Sequence, residues 1–220
     1  MKVVVFGPTG GTGRQLLIQA LAAGHEVTAF TRNAGAVEAR ARLTVMAGDP
    51  RDAQAVGRAV AGRDAVLCAL GGRPWRRRER VCSSAMPVIA RAMEQAGVRR
   101  VVAISTFGAG DTRRHVGWLA RTLLFGLVLR SEVVDKEAME QQLSASGLDW
   151  TVVRVGLLTD GPGRGTWRAA DDGSIRGMGR IARADVAAFM LAQLVDQTWL
   201  RRRPVLMGQA RLGAFGSISS

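Results

Sequence analysis

Three glycines near the beginning of the chain have the spacing of a phosphate-binding turn. Gly7, Gly10 and Gly13 follow a short β-branched run, and residues with the apolar spacing of a helix come directly after them. Glycine allows the chain to turn tightly there, and the free amides at the start of the helix stabilise the negative charge of a pyrophosphate. The pattern predicts a dinucleotide-binding turn; the alternative is a glycine turn without a ligand.

The residues after the second β-rich run indicate which dinucleotide such a turn would hold. An acidic side chain at that point would accept a hydrogen bond from a ribose 2′-hydroxyl and would repel a 2′-phosphate. This chain has Thr31, Arg32 and Asn33 there instead, and a guanidinium group can bind a phosphate through two charge-assisted hydrogen bonds. NADP(H) is therefore favoured over NAD(H), unless Arg32 is an ordinary solvated arginine.

Strands and helices alternate along the chain, and this alternation would position the glycine turn. The pattern predicts strands over 2–6, 26–31, 43–47, 64–70, 100–105 and 150–155, and helices over 13–23, 52–60, 131–146 and a longer stretch that ends near Gly97. We expect Pro87 to kink that longer helix or to begin a turn of it. Continuous apolar strands indicate burial on both faces, so the expected fold is α/β, a doubly wound parallel sheet with right-handed crossovers.

Three segments interrupt the alternation, and each follows the carboxyl end of a strand. They cover 71–80, 107–130 and 156–180, after the fourth, fifth and sixth strands. Ligands of open α/β sheets bind at this edge, so we expect these segments to cover a substrate pocket. The length of the chain favours a single domain, assigned to residues 1–212, and a Gly/Ser-rich tail over 213–220 that we expect to fray.

Composition restricts the partners of such a domain. The 220 residues carry a formal charge of +13, which favours an anionic partner; an anionic cofactor meets that description as well as nucleic acid does. Arginines are spread along the whole chain and no nucleic-acid module is present, so nucleic acid is disfavoured.

The longest apolar stretch, 118–129, is too short to cross a membrane. We expect a cytoplasmic protein with no metal site, in which Cys68 and Cys82 are buried thiols.

Several motifs together resemble the atypical short-chain dehydrogenase/reductase family with an NAD(P)H-binding domain, a group that includes flavin reductases. The similarity extends over about residues 1–195. The similar motifs are Gly7 to Gly13 with Arg32, Ala47 to Asp49, Asp64 to Gly71, Val101 to Thr106, Ser146 to Arg154, and Arg183 to Val186. The resemblance implies a Rossmann-like fold and a nicotinamide dinucleotide cofactor.

The resemblance also implies which residues hold the cofactor. The diphosphate contacts fall on Thr9, Gly10, Gly11 and Thr12, and the 2′-phosphate contact falls on Arg32. Asp49 and Pro50 surround the adenine, and Leu70, Gly71 and Arg73 lie along the cofactor. The alternative for Arg73 is a place in a solvated basic loop, because four further arginines follow it before residue 81.

Catalysis by the tyrosine–lysine pair of many short-chain dehydrogenases is excluded, because the chain contains no tyrosine. The assisting groups that we predict are Ser105 and Thr106, at the end of the fifth strand, and Lys136 on the next helix. Thr106 aligns with the proposed catalytic serine of the family. The alternative for Lys136 is a surface position in helical ion pairs with Glu132 and Glu140.

A site so poor in acids and bases suits hydride transfer to an acceptor held against the cofactor. We predict an NADPH-dependent oxidoreductase whose acceptor is a flat, apolar conjugated molecule such as a flavin or a quinone. Leu157 stands where the biliverdin-reducing relatives have a histidine, which argues against biliverdin. The alternative function is a non-catalytic NADP(H)-binding sensor of the nitrogen-metabolite-repression regulator type.

The apolar segment 116–129 could cover the substrate, join two subunits of a homodimer or lie on a membrane surface.

Overall fold

A computed structural model describes residues 1–71, 80–109, 130–171 and 179–208. The predictions for Arg73, for the apolar segment 116–129 and for the tail 213–220 lie outside these ranges. The strands are β1 (Lys2–Phe6), β2 (Glu26–Thr31), β3 (Leu43–Ala47), β4 (Ala65–Cys68), β5 (Arg100–Thr106), β6 (Asp149–Val155), β7 (Leu157–Thr159), β8 (Trp167–Ala170), β9 (Arg180–Ala182) and β10 (Val205–Gly208). The helices are α1 (Gly11–Ala22), α2 (Ala53–Val60), α3 (Val81–Gln95), α4 (Arg130–Ala145) and α5 (Arg183–Ala192).

Eight strands form the main sheet in the order β3-β2-β1-β4-β5-β6-β10-β8. Every neighbouring pair is parallel except β10 and β8, and β7 and β9 form a separate parallel pair. The predicted fold class, a doubly wound parallel sheet of the Rossmann type, is confirmed. The order of the strands reverses between β1 and β4, which is where ligands bind in sheets of this type.

The two faces of the sheet are covered by different helices, and the apolar strands supply both cores. Val4 and Phe6 of β1 pack with residues of α2, α3 and α4, whereas Val3 and Val5 pack on the opposite face with residues of α1 and α5. Successive side chains of a strand point to opposite faces, so a strand buried on both sides must be apolar throughout.

Most elements occur where the sequence predicts them, and the differences concern element ends and the last part of the chain. β4 ends at Cys68 and not at residue 70, because the chain leaves the sheet there to line a cleft. Pro87 lies inside α3, which is continuous from Val81 to Gln95. β7 and β8 lie within the predicted insertion 156–180. Helix α5 and strand β10 are not predicted from the pattern. None of the helices within the described ranges is both long and apolar enough to cross a membrane.

Candidate active site

A cleft of about 670 Å³ opens at the carboxyl ends of β1, β2, β4, β5 and β6. The predicted site residues that line it are Gly7, Thr9, Gly10, Gly11, Thr12, Arg32, Pro50, Leu70, Gly71, Ser105, Thr106 and Lys136. Asp49 lies in an adjoining depression that Arg32 and Pro50 also line. The structure therefore brings the predicted residues to one place, with two exceptions. Gly13 is not among the lining residues, and Arg73 is outside the described ranges.

The glycine turn joins β1 to α1 in a conformation that only glycine fits. Gly7 has φ 81°, and a methyl group at this position would lie 2.6 Å from the carbonyl oxygen of Ala69. A methyl group on Gly13 would lie 2.0 Å from the carbonyl oxygen of Gly7, so Gly13 allows the helix to pack on the turn. Helix α1 has Gly10 as its N-cap and no acidic residue in its first turn. Its first amides therefore have no side-chain cap and are available to an anion at the cleft.

Arg32 follows β2 at the rim of the cleft, and its guanidinium makes no hydrogen bond or ion pair with any residue in the described part of the chain. The nearby carboxylate of Asp49 is occupied by Arg51, whose Nη2 lies 2.6 Å from Oδ2. The hydrogen bond from Arg51 lowers the pKa of Asp49 to about 2, with a smaller contribution from the charge of Arg32. Asp49 is consequently ionised but compensated, which leaves Arg32 available for an anion.

Lys136 is buried beneath the other end of the cleft. Its Nζ donates to the carbonyl oxygens of Leu70 at 2.7 Å and of Ile104 at 2.8 Å, and so joins the ends of β4 and β5. Burial lowers the pKa of Lys136, but the neighbouring thiols and the Glu132 carboxylate raise it, and the net shift is upward. The side chain therefore remains an ammonium ion at neutral pH.

The surface alternative for Lys136 is wrong. Only 4% of this residue is exposed, and Glu140 is not its partner, because that carboxylate pairs with Arg154 at 2.7 Å inside the protein. The two carbonyl groups that Lys136 binds belong to loops and strands distant in the sequence. A lysine is usually exposed, so its burial is not visible in the pattern of its own helix.

The hydroxyl groups of Ser105 and Thr106 differ in their surroundings. Ser105 Oγ is buried and has no hydrogen-bond partner among the described residues, and the alternation along β5 places it on the face that α4 covers. Thr106 Oγ1 points to the other face and donates to the carbonyl oxygen of Phe107 at 3.3 Å. Buried polar groups are almost always hydrogen-bonded, so this hydroxyl is one of the few exceptions within the described ranges.

Sequence reasoning missed two charged residues of the cleft and its apolar wall. Glu132 is the only acidic residue among the described residues that line the cleft, and it lies one turn before Lys136 on α4. This i, i+4 spacing was the available signal that the two share a helix face. Arg183 also lines the cleft; the motif from Arg183 to Val186 was recognised as part of the family resemblance, but no role at the site was assigned to the arginine. The apolar wall consists of Ile104, Val155, Leu157 and Leu158.

A buried carboxylate fixes the helix that borders the cleft. Asp135 of α4 accepts hydrogen bonds from the backbone amides of Cys82, at 2.9 Å, and Ser83, at 2.8 Å, at the start of α3.

Burial raises the pKa of the Cys82 thiol to about 12 and also raises that of Cys68. Both cysteines are free and buried, as predicted. In the part of the chain that the structure describes, no group of three or more His, Cys, Asp or Glu side chains could hold a metal ion.

Comparison with known families agrees with this site. The family model described as NAD(P)H-binding matches residues 7–197, and the chain therefore belongs to the NAD(P)H-binding family. The match begins at the first glycine of the turn and extends beyond the end of α5, so it includes every described residue that lines the cleft.

Individual relatives cover nearly the whole chain. YhfK of Bacillus subtilis (strain 168), named an uncharacterized sugar epimerase, is 28% identical over 210 residues, which cover 90% of this chain and 89% of that protein. The structure of ChuY, an anaerobilin reductase of Escherichia coli O157:H7, is 26% identical, with a TM-score of 0.80 and coverage of 94% and 97%. A Veillonella parvula DSM 2008 short-chain dehydrogenase/reductase in complex with NADP is 18% identical and has a TM-score of 0.80 over 95% of each chain. At that identity the last comparison shows a shared fold.

Proposed function

We propose that this protein is an NADPH-dependent reductase that transfers hydride to a flat, apolar conjugated acceptor such as a flavin or a quinone. The observation that carries the proposal is the composition of one cleft. Open helix amides at the glycine turn, Arg32 at the rim, which has no partner in the described part of the chain, and Ser105 at the end of β5 all line the same cleft. The first two suit the phosphates of a dinucleotide, and the third suits its reacting end or the acceptor.

The residues present fit the cofactor that the family implies. The amides after Gly10 would hold the diphosphate, together with Thr9, Gly11 and Thr12, and Arg32 would hold the 2′-phosphate. Asp49 and Pro50 would lie beside the adenine, and Leu70 and Gly71 would lie along the ribose and nicotinamide. Because Arg51 already compensates Asp49, a phosphate at Arg32 meets little repulsion. This favours NADP(H) over NAD(H).

The chain's own groups would position the acceptor and stabilise charge. When bound, the reduced nicotinamide supplies the hydride. Lys136 holds the carbonyl groups of Leu70 and Ile104, so it fixes the loop after β4 and the end of β5, against which the reactants lie. Its positive charge favours the negative charge that hydride addition places on the acceptor. Ser105 Oγ can donate a hydrogen bond to an acceptor heteroatom, and water supplies the proton that completes the reduction.

The apolar wall supports a hydrophobic acceptor. Leu157 is 47% exposed, although large apolar side chains are usually covered, and it lines the cleft beside Leu158 and Val155. A flat conjugated ring would cover this surface, and burial of apolar area is favourable by about 25 cal/mol per Å². The similarity to a reductase, ChuY, supports reduction. Epimerase chemistry, suggested by the name of the B. subtilis relative, is less favoured because the chain has no tyrosine to act as a phenolic acid.

Two measurements on the purified protein test the proposal. Calorimetric titration should give tighter binding of NADPH than of NADH, by about tenfold or more for an additional charge-assisted contact. Oxidation of NADPH, followed at 340 nm, should then be detected with at least one member of a panel of free flavins and quinones. Failure to bind either nucleotide contradicts the proposal entirely. Binding without turnover of any acceptor contradicts the reductase and favours the sensor.

A further inference from the structure

We propose that Arg183, whose side chain lies beside the glycine turn, binds the diphosphate of the cofactor, and that Asp160 is the positioning residue that holds its guanidinium there. The inference rests on the proposed location of the dinucleotide. It adds a side-chain cation to a diphosphate site that the glycine pattern describes only in terms of backbone amides.

The side chain of Arg183 lies directly against the first residue of α1. A methyl group built on Gly11 would be 2.5 Å from Cδ and 2.6 Å from Nε of Arg183. The same construction on Gly10 finds its nearest atom at 3.6 Å, on the backbone of Gly7. Glycine at position 11 therefore leaves room for an arginine at the helix N-terminus, where the proposal places the diphosphate.

The base of this arginine is fixed to α1. Helix α5 begins at Arg183 and packs against α1. Gln19 Nε2, in the second half of α1, donates to the carbonyl oxygen of Ala184 at 2.9 Å. These contacts fix the backbone from which the long side chain extends to the first residue of α1.

The tip of the arginine is held by Asp160. Arg183 Nη1 donates to Asp160 Oδ1 at 2.7 Å, and the side chains are 26% and 87% exposed, respectively. The loop that carries Asp160 is itself attached to α5, because the buried carboxylate of Asp185 accepts from the amides of Arg164, at 3.0 Å, and Gly165, at 2.9 Å. Asp160 is thus a fixed anchor and not the tip of an unattached loop.

The charges of this arrangement point to an anion as the ligand. A guanidinium has five N–H donors in a rigid fork, and the bond to Asp160 occupies one of them. The remaining donors include Nε, beside Gly11 at the N-terminus of α1. The helix amides and the guanidinium beside them together form a site for a group with two negative charges.

Calorimetric titration with NADPH tests the role of Arg183. We expect R183A to weaken NADPH binding by about tenfold or more, as for the loss of a charge-assisted contact, and R183K to recover part of the loss. The matched control is R58A, which removes the same charge from an exposed position on α2 and should change the dissociation constant by less than about twofold. Thermal unfolding of each variant verifies that it is folded.

A shorter ligand separates the two phosphate sites. Adenosine 2′-monophosphate carries the phosphate assigned to Arg32 but no diphosphate, so R183A should bind it as tightly as the wild type does, whereas R32A should bind it more weakly.

The positioning role of Asp160 is tested with D160A, which should weaken NADPH binding by less than R183A does. The double variant D160A/R183A should bind like R183A alone, because Asp160 acts through the arginine.

Each outcome decides a stated point. An unchanged NADPH dissociation constant in R183A overturns the inference, even if the KM of an acceptor changes, because the arginine would then serve the acceptor. Equal losses in R183A and R58A also overturn it, since they would reflect total charge. If R183A binds adenosine 2′-monophosphate more weakly by the same factor as NADPH, the assignment to the diphosphate is wrong. A wild-type protein that binds no nucleotide overturns the proposed function, and this inference with it.

Discussion

The cleft has two ends that differ in which part of the chain forms them: the phosphate end, at Gly7 to Gly13 and Arg32, and the reduction end, at Ser105, Thr106 and Lys136. At the phosphate end the backbone makes the site: glycines at 7, 10 and 11 leave the first amides of α1 uncovered. At the reduction end, side chains make the site, and they are held by long-range contacts such as the bonds from Lys136 to Leu70 and Ile104. At Gly7 and Gly13 the first end has no room for an added methyl group, whereas the second end depends on the partners of buried polar groups. The two ends should therefore fail in different ways.

The largest effect is expected from Gly13→Ala, which breaks the phosphate end. The added methyl would lie 2.0 Å from the carbonyl oxygen of Gly7 and 2.9 Å from Cα of Pro8, so backbone must move. We expect the free energy of unfolding, measured in urea, to fall by about 3 kcal/mol, with loss of NADPH binding. Gly57→Ala in α2 is the control, because its methyl meets nothing within 4 Å; it should be neutral or stabilising by up to about 1 kcal/mol. Equal stability of the two variants would contradict the packing argument.

Lys136→Met tests the reduction end through the same quantity, the free energy of unfolding. The substitution leaves two buried carbonyl groups without their donor, and we expect a loss of about 2–4 kcal/mol in the free energy of unfolding together with loss of reductase activity. The other lysine of the chain provides the matched control. Lys2→Met changes an exposed side chain and should alter stability by less than about 0.5 kcal/mol. A Lys136 variant as stable as the Lys2 variant would show that the buried ammonium is dispensable for the fold.

Arg32→Ala sharpens the comparison by removing a contact at the phosphate end without disturbing its backbone. Arg32 is exposed and has no partner among the described residues, so stability should not change. NADPH binding should weaken by about tenfold or more while NADH binding stays constant, because only NADPH carries the 2′-phosphate. Calorimetry with both nucleotides measures the ratio. An equal loss for both would assign Arg32 to another part of the cofactor.

Ser105→Ala should separate activity from stability at the reduction end. Its hydroxyl is buried without a partner, so removal should leave the unfolding free energy unchanged or raise it by up to about 1 kcal/mol. The rate of acceptor reduction should fall by about tenfold, the value of one hydrogen bond to a ligand. Thr106→Val removes a hydroxyl that donates to Phe107 and should instead cost about 1 kcal/mol of stability. A larger activity loss in the Thr106 variant would transfer the proposed role to that residue.

The smallest effect concerns pH. Because hydrogen bonding to Arg51 lowers the pKa of Asp49 to about 2, this carboxylate stays ionised until the pH approaches 2. A 2′-phosphate takes up a proton near pH 6. The preference for NADPH over NADH should therefore fall by about threefold between pH 7.5 and 5.5, and it should be independent of pH in the Arg32→Ala variant. A preference that rises at low pH would contradict phosphate recognition by Arg32.

Local pattern was sufficient to predict the phosphate end and most of the sheet. The glycine turn lies within a single strand–turn–helix unit, so its residues are neighbours in sequence as well as in space. Apolar runs such as 26–31 and 43–47 form strands with the predicted bounds. The last part of the chain was harder, because β10 is a run of only four residues after Arg203 and Pro204, too short to show a period.

The reduction end was only partly predictable, because its contacts join distant parts of the chain. Ser105, Thr106 and Lys136 were identified as candidates, but the burial of Lys136 depends on carbonyl groups 66 and 32 residues away. Arg183 and Gly11 are brought together only by the packing of α5 against α1. Sequence periodicity reports which face of a helix is apolar, and it carries no information about which backbone groups from other elements will meet that face.

The two buried cysteines give the protein an internal reporter of unfolding. Cys68 and Cys82 are the only cysteines in the chain, and burial with a raised pKa keeps both as thiols that do not react with alkylating reagents in the native state. Iodoacetamide should therefore modify the protein only when the interior opens. Counting the added mass with time would measure the opening rate of the region around Lys136, without any engineered label and in the presence or absence of nucleotide.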